Sequence, residues 1–202
     1  ASALFPVGDL HKQEVRDRAA RAGLVTHAKK DSTGICFIGE RPFREFLNRF
    51  LPAQPGLIRT LDGELLGEHA GLMFHTIGQR QGLGIGGRRD GSGAPWYVAS
   101  KELESNTLIV VQGHDHPALF HRCLRASRLH WITGQAPTIP LRCQAKIRYR
   151  QHDQACVLDA LDPRGATVRF SEPQRAITPG QSIVFYLADN CLGGGTIDAA
   201  WD

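Results

Sequence analysis

The 202-residue chain lacks the features that mark membrane, zinc-bound or disulfide-stapled proteins. No apolar run approaches the roughly 20 residues needed to span a bilayer. The start at Ala1 has neither the basic nor the apolar region of a secretory signal, so a cytoplasmic protein without a membrane partner is expected. The five cysteines, Cys36, Cys123, Cys143, Cys156 and Cys191, form no Cys-x-x-Cys and no paired Cys/His spacing of the zinc-site type. His69, His75, His114 and His116 form no carboxylate-flanked His-x-x-x-His, and no metal site is expected. An odd cysteine count without export features predicts reduced thiols, most of them packing residues and at most one reactive. Internal repeats and low-complexity segments are absent too.

What is present is an ordinary globular composition, 42% hydrophobic and 22% charged, with a formal net charge of +4. That mild excess permits a polyanionic partner without demanding one. Its distribution says more. Basic residues gather at Lys29-Lys30, at Arg80 with Arg88-Arg89, between Arg122 and Arg128, and at Lys146-Arg148-Arg150. Each cluster alone is compatible with a solvated face.

Asp9 to Gly23 reads as a short helix with Asp9 as N-cap and Gly23 as its stop. Ile35 to Ile38 reads as a short strand. Pro42 opens a second helix whose Phe43, Phe46, Leu47, Phe50 and Leu51 recur at helical spacing, closed by Pro52 and Pro55-Gly56. Leu57 to Thr60 and Glu64 to Glu68 flank an Asp62-Gly63 turn and predict a hairpin. His69 to Gln79 suits one or two helical turns, Gly82 to Gly93 is a glycine-rich loop, and Trp96 to Ser100 pairs with Thr107 to Val111. The segments 142–150, 155–161, 166–170, 182–187 and 191–197 alternate with turn residues in the manner of a small six-stranded-type barrel. His114 and His116 are expected to shape the turn before it.

One cysteine has a distinctive setting, Lys29-Lys30-Asp31-Ser32-Thr33-Gly34-Ile35-Cys36-Phe37-Ile38-Gly39-Glu40. Nearby lysines and turn N–H groups favour a thiolate, the reactive form. Local context alone does not displace the plainer reading of Cys36 as a small buried hydrophobe. The segment, however, resembles the second-cysteine motif of bacterial tRNA-specific 2-thiouridylases. Other blocks similar to that family occur in order: Phe5 to Arg16, Gly71 to Arg80, Gly82 to Gly87, Arg148 to Gln151, Thr178 to Ser182, and Cys191 to Gly195.

The resemblance implies an α+β protein in three parts: residues 1–40, the remnant of an α/β PP-loop ATP-pyrophosphatase domain with the catalytic-cysteine segment; residues 41–116, a small α/β central module; and residues 117–202, a C-terminal antiparallel β-barrel that contacts tRNA. It implies a C-terminal fragment, inactive alone, of an ATP-dependent tRNA-uridine 2-sulfurtransferase. ATP and a first cysteine would belong to the missing N-terminal portion, and no metal to this one. Cys36 corresponds by motif to the persulfide carrier, accepting sulfur from an upstream relay protein and later forming a transient disulfide. Arg148, Tyr149 and Gln181 correspond to tRNA-contacting positions, with Asp31, Gln79 and Arg80 as supporting candidates; Asp31 is equally suited to capping its turn. A monomer is expected. The alternatives are a non-catalytic tRNA-binding module and, ranked last, a generic thiol oxidoreductase, which Cys36 does not suit without a Cys-x-x-Cys partner. The leading reading predicts that Cys36 labels readily with a thiol reagent, which peptide mass spectrometry would register.

Overall fold

The computed structural model describes residues 4–29, 52–85 and 93–202. The chain divides into two compact units, 1–50 and 51–202. The strand expected at Ile35 to Ile38, the helix expected from Pro42 to Leu51, and both Asp31 and Cys36 lie outside the described residues.

In the first unit, helix α1 spans Lys12–Arg21. Its N-cap is His11, two residues beyond the Asp9 expected, because the Glu14 carboxylate accepts the His11 N–H at 2.9 Å and closes the first turn there. Its end is as expected. Gly23, at φ +67°, lets its own N–H reach the Ala20 carbonyl and the Leu24 N–H reach that of Ala19, the paired bonds of a Schellman ending.

The second unit opens with a four-stranded mixed sheet of order β2-β1-β4-β3, built from β1 (Gly56–Thr60), β2 (Leu65–His69), β3 (Trp96–Glu102) and β4 (Thr107–Gln112). The predicted hairpin is present, with β1 and β2 antiparallel, and β4 runs parallel to β1. Strand β4 is buried on both faces, which explains its unbroken apolar run. Leu108 and Val110 face Ile58, Val98, Leu83 and Ile85; Ile109 and Val111 face Tyr97, Ala99 and Leu119. The helical turn expected within His69 to Gln79 is a 3₁₀ turn, Leu72–Phe74.

A turn through Gly113 to His116 and a 3₁₀ turn at Pro117–Leu119 lead into the barrel, with His116 Nδ1 accepting the Ala118 N–H at 3.2 Å. Six antiparallel strands close it: β5 (Phe120–Trp131), β6 (Leu141–Lys146), β7 (Gln154–Asp162), β8 (Gly165–Arg175), β9 (Ser182–Leu187) and β10 (Asn190–Trp201), in the order β10-β5-β8-β7-β6-β9. Leu124, Ala126, Ala145, Leu158, Val168, Phe170, Ile183, Phe185 and Ile197 fill it. Strand β5 is absent from the sequence reading because its arginines mask the period-two pattern; Leu124 and Ala126 point inward while Arg122, Arg125 and Arg128 do not. Among the described residues no helix is long and apolar enough to cross a membrane.

The Cys191 to Gly195 block has a packing explanation. Gly193 sits at φ +143°, and a Cβ there would lie 2.1 Å from the His130 carbonyl oxygen on β5. Gly193→Ala therefore adds backbone strain and a collision with main chain, and is expected to lower stability by about 2–4 kcal/mol. A urea unfolding titration would measure this.

Candidate nucleic-acid interface

A cavity of about 740 Å³ lies where the Thr76–Gln79 turn of the sheet portion meets one end of the barrel. The barrel contributes Lys146 and the turn beyond β6, the Gly180–Ser182 turn, and the outward face of β9. Gln79, Arg148, Tyr149 and Gln181 all line it. Arg80 does not; it borders a second cavity of about 410 Å³ with Gly82, Leu83 and Trp96.

The strand expected over 142–150 stops at Lys146. The Ile147 N–H is diverted to the Gln151 side chain at 3.0 Å, and the Gln151 N–H returns to the Arg148 carbonyl at 3.1 Å, so the chain turns instead of extending. Arg148 and Tyr149 consequently sit at a turn rather than along a strand. Tyr149 is 94% exposed, an aromatic ring presented to solvent. Arg148 Nη2 donates to the Ala176 carbonyl at 3.1 Å, which fixes the guanidinium against the barrel end. Burial, and then the positive charge of Arg175, pull its pKa below the ordinary arginine value, and it remains a cation at neutral pH. Arg175 itself stacks over the Tyr97 ring at 5.0 Å and donates from Nε to the His114 carbonyl at 3.1 Å, joining β8 to β3 and to the turn before the barrel.

Gln181 is held through its backbone. Its N–H reaches the Thr178 carbonyl at 3.2 Å and its carbonyl accepts the Ile197 N–H at 2.8 Å, while the residue stays exposed. Gln79 is different. Its Oε1 accepts the Thr76 N–H at 2.9 Å and its Nε2 donates to the Gln81 carbonyl at 2.8 Å, so both ends of the amide are used in locking its own turn. Gly78, next to it, is at φ +81°, and a Cβ there would lie 2.6 Å from the Ala176 side chain.

Sequence reasoning did not single out Tyr186, whose ring lies 5.2 Å below the Lys146 ammonium. The available signal was parity: Ser182, Val184 and Tyr186 alternate along β9 and all face the cavity. Lys146 also pairs with Asp153 at 3.3 Å. No carboxylate lines the cavity among the described residues. Elsewhere the basic clusters are partly neutralised. Arg125 holds Asp162 with two bonds of 2.7 and 2.8 Å, and Arg169 holds Asp159 at 2.9 and 3.1 Å. Those bonds hold the Asp162 carboxyl below its usual range, the side-chain bond from Arg125 first and the Arg164 backbone N–H second. Among the described residues no cluster of three potential metal ligands occurs. The cavity thus combines cations, an exposed ring and an exposed amide, the side-chain chemistry that binds phosphate, stacks a base and meets a base edge.

Three family models match successive segments: a tRNA methyl transferase HUP domain over residues 1–40, a tRNA methyl transferase PRC-barrel domain over 44–112, and an aminomethyltransferase beta-barrel domain over 121–197. The chain is 59% identical over 198 residues to a tRNA-specific 2-thiouridylase MnmA of Yersinia pestis (strain Pestoides F), covering 98% of this chain and 53% of that protein. A tRNA-specific 2-thiouridylase MnmA of Yersinia pseudotuberculosis serotype O:1b (strain IP 31758) matches at the same identity and coverage. The chain spans about half the length of the curated relatives it matches.

Packing at this junction predicts opposite behaviour for two substitutions. Tyr149→Ala is expected to leave stability within about 0.5 kcal/mol of wild type. Gly78→Ala is expected to cost about 2–3 kcal/mol through left-handed backbone and the contact with Ala176. Denaturant midpoints would compare them.

Proposed function

The chain belongs to the tRNA-specific 2-thiouridylase family, and on that premise we propose that its barrel-end cavity binds tRNA for 2-thiolation of the wobble uridine. The observation that carries this reading is the convergence of Arg148, Tyr149 and Gln181 on one cavity that no carboxylate lines among the described residues. An anticodon-loop base must leave its stack to be modified, so the enzyme needs contacts that hold backbone and neighbouring bases around the reacting uridine. Arg148 supplies a phosphate contact, Tyr149 a stacking face and Gln181 an amide for a base edge. Lys146, paired with Asp153 and seated over the Tyr186 ring, borders the same wall.

The chemistry of this reading needs a better leaving group than the C2 oxygen of uridine. ATP adenylates that oxygen with loss of pyrophosphate. A persulfide on Cys36, loaded by a sulfur-relay protein, then attacks C2 through its terminal sulfur, and AMP departs with the original oxygen. A thiolate from a first cysteine attacks the Cys36 sulfur, breaks the S–S bond and leaves a Cys–Cys disulfide with 2-thiouridine. ATP and that first cysteine fall, in this reading, within the portion of the relatives that the chain does not span. The chain by itself is accordingly inactive in thiolation while retaining a tRNA surface. A cytoplasmic, monomeric protein completes the proposal.

Binding of unmodified tRNA by the 202-residue chain should weaken linearly in log Kd against log salt. Arg148→Ala should reduce that slope by about one, and Tyr149→Ala should weaken binding by about 1–3 kcal/mol with the slope unchanged. Filter-binding titrations across salt concentrations test both, and salt-independent binding would sink the RNA reading. In the whole protein, Cys36→Ser should abolish sulfur incorporation without loss of tRNA binding; retained thiolation would remove Cys36 from the mechanism.

A further inference from the structure

The turn that presents Arg148 and Tyr149 is held from within by a relay of side-chain amides. Gln151 Oε1 accepts the Ile147 N–H at 3.0 Å, and Gln151 Nε2 donates to Gln174 Oε1 at 2.8 Å. Gln174 Nε2 donates in turn to Gln154 Oε1 at 3.2 Å and to the Glu172 carbonyl at 2.9 Å. Gln174 is 4% exposed, near the end of β8. A buried amide is destabilising unless its donors and acceptor are all bonded; here Nε2 is satisfied within β7 and β8, and Oε1 by Gln151 of the 147–151 turn. Two residues later the Ala176 carbonyl accepts Arg148 Nη2. The end of β8 therefore grips the turn at two points, one through a side chain and one through the main chain.

We infer that Gln174 is a positioning residue for RNA binding, acting through Gln151 to hold the 147–151 turn so that Tyr149 meets RNA already ordered, while Arg148 keeps its own anchor on the Ala176 carbonyl. The inference rests on the RNA-binding reading of the cavity. Tyr149 is almost fully exposed, so its placement comes from its backbone. A turn that had to be ordered upon binding would subtract that ordering from the affinity, whereas a preorganised one does not. Gln174 touches no RNA in this scheme; it sets where the Tyr149 ring stands.

Gln174→Met keeps length and burial but removes the amide. In the 202-residue chain it is expected to raise the tRNA Kd about tenfold and to speed amide exchange at Ile147 and Gln151 about tenfold. The salt slope should stay unchanged because no phosphate contact is lost. In a Tyr149→Ala background the same substitution should alter Kd less than twofold, since the ring it positions is gone. Gln151→Ala, a change in the turn itself, should reproduce these effects and serves if Gln174→Met does not fold. Uniformly faster exchange through the barrel, or full additivity with Tyr149→Ala, would make Gln174 a stabilising residue only and overturn the inference. Binding that Arg148→Ala weakens and Gln174→Met does not would overturn this inference alone. No tRNA binding by the wild-type chain would overturn the RNA reading and the inference with it.

Discussion

The close approach of Gly78 to Ala176 is the constraint on which the cavity depends. Gly78 has no Cβ, and only on that condition does the Thr76–Gln79 turn sit against the end of β8. Ala176 meets it in a left-handed conformation, φ +55°, which is costly for a residue with a side chain. That conformation is secured by bonds on both sides of the residue. Its N–H reaches the Leu119 carbonyl at 2.6 Å, and its carbonyl accepts both Arg148 Nη2 and the Thr178 hydroxyl. One buried residue thus fixes the sheet portion, the 147–151 turn and the 178–181 turn relative to each other.

Electrostatics follow from the same arrangement. A net charge of +4 does not identify a partner, and the basic cluster on β5 is partly spent on Asp162. The cations at the cavity matter because no carboxylate shares its lining among the described residues. Arg148 and Arg175 lie close enough to repel. Charge placement, more than charge count, distinguishes this end of the barrel.

Much of the fold was legible in local sequence. The Asp62-Gly63 hairpin, the β3–β4 pair and most barrel strands follow from alternation and turn residues, which act over a few positions. Gly23 ended α1 where expected because a C-terminal glycine works on its own neighbours. The errors arose where a side chain intervened. Glu14 moved the start of α1, Gln151 cut β6 short, and outward arginines hid β5. The candidate residues were legible in a different way. Arg148, Tyr149 and Gln181 were named by resemblance to motif blocks, without any indication that those blocks meet.

The sequence by itself determined the helix end, the hairpins, the barrel alternation and the family motifs, because each depends on residue type and short-range spacing. Tertiary structure decided which of the named residues share a cavity and which of the basic groups are already paired. It separated Gln181, with its exposed amide, from Gln79, whose amide is used within its own turn. It also joined Arg148 to an acceptor 28 positions away. Contacts of that range depend on barrel closure and on the seat of Gly78 against Ala176, and no local pattern encodes them.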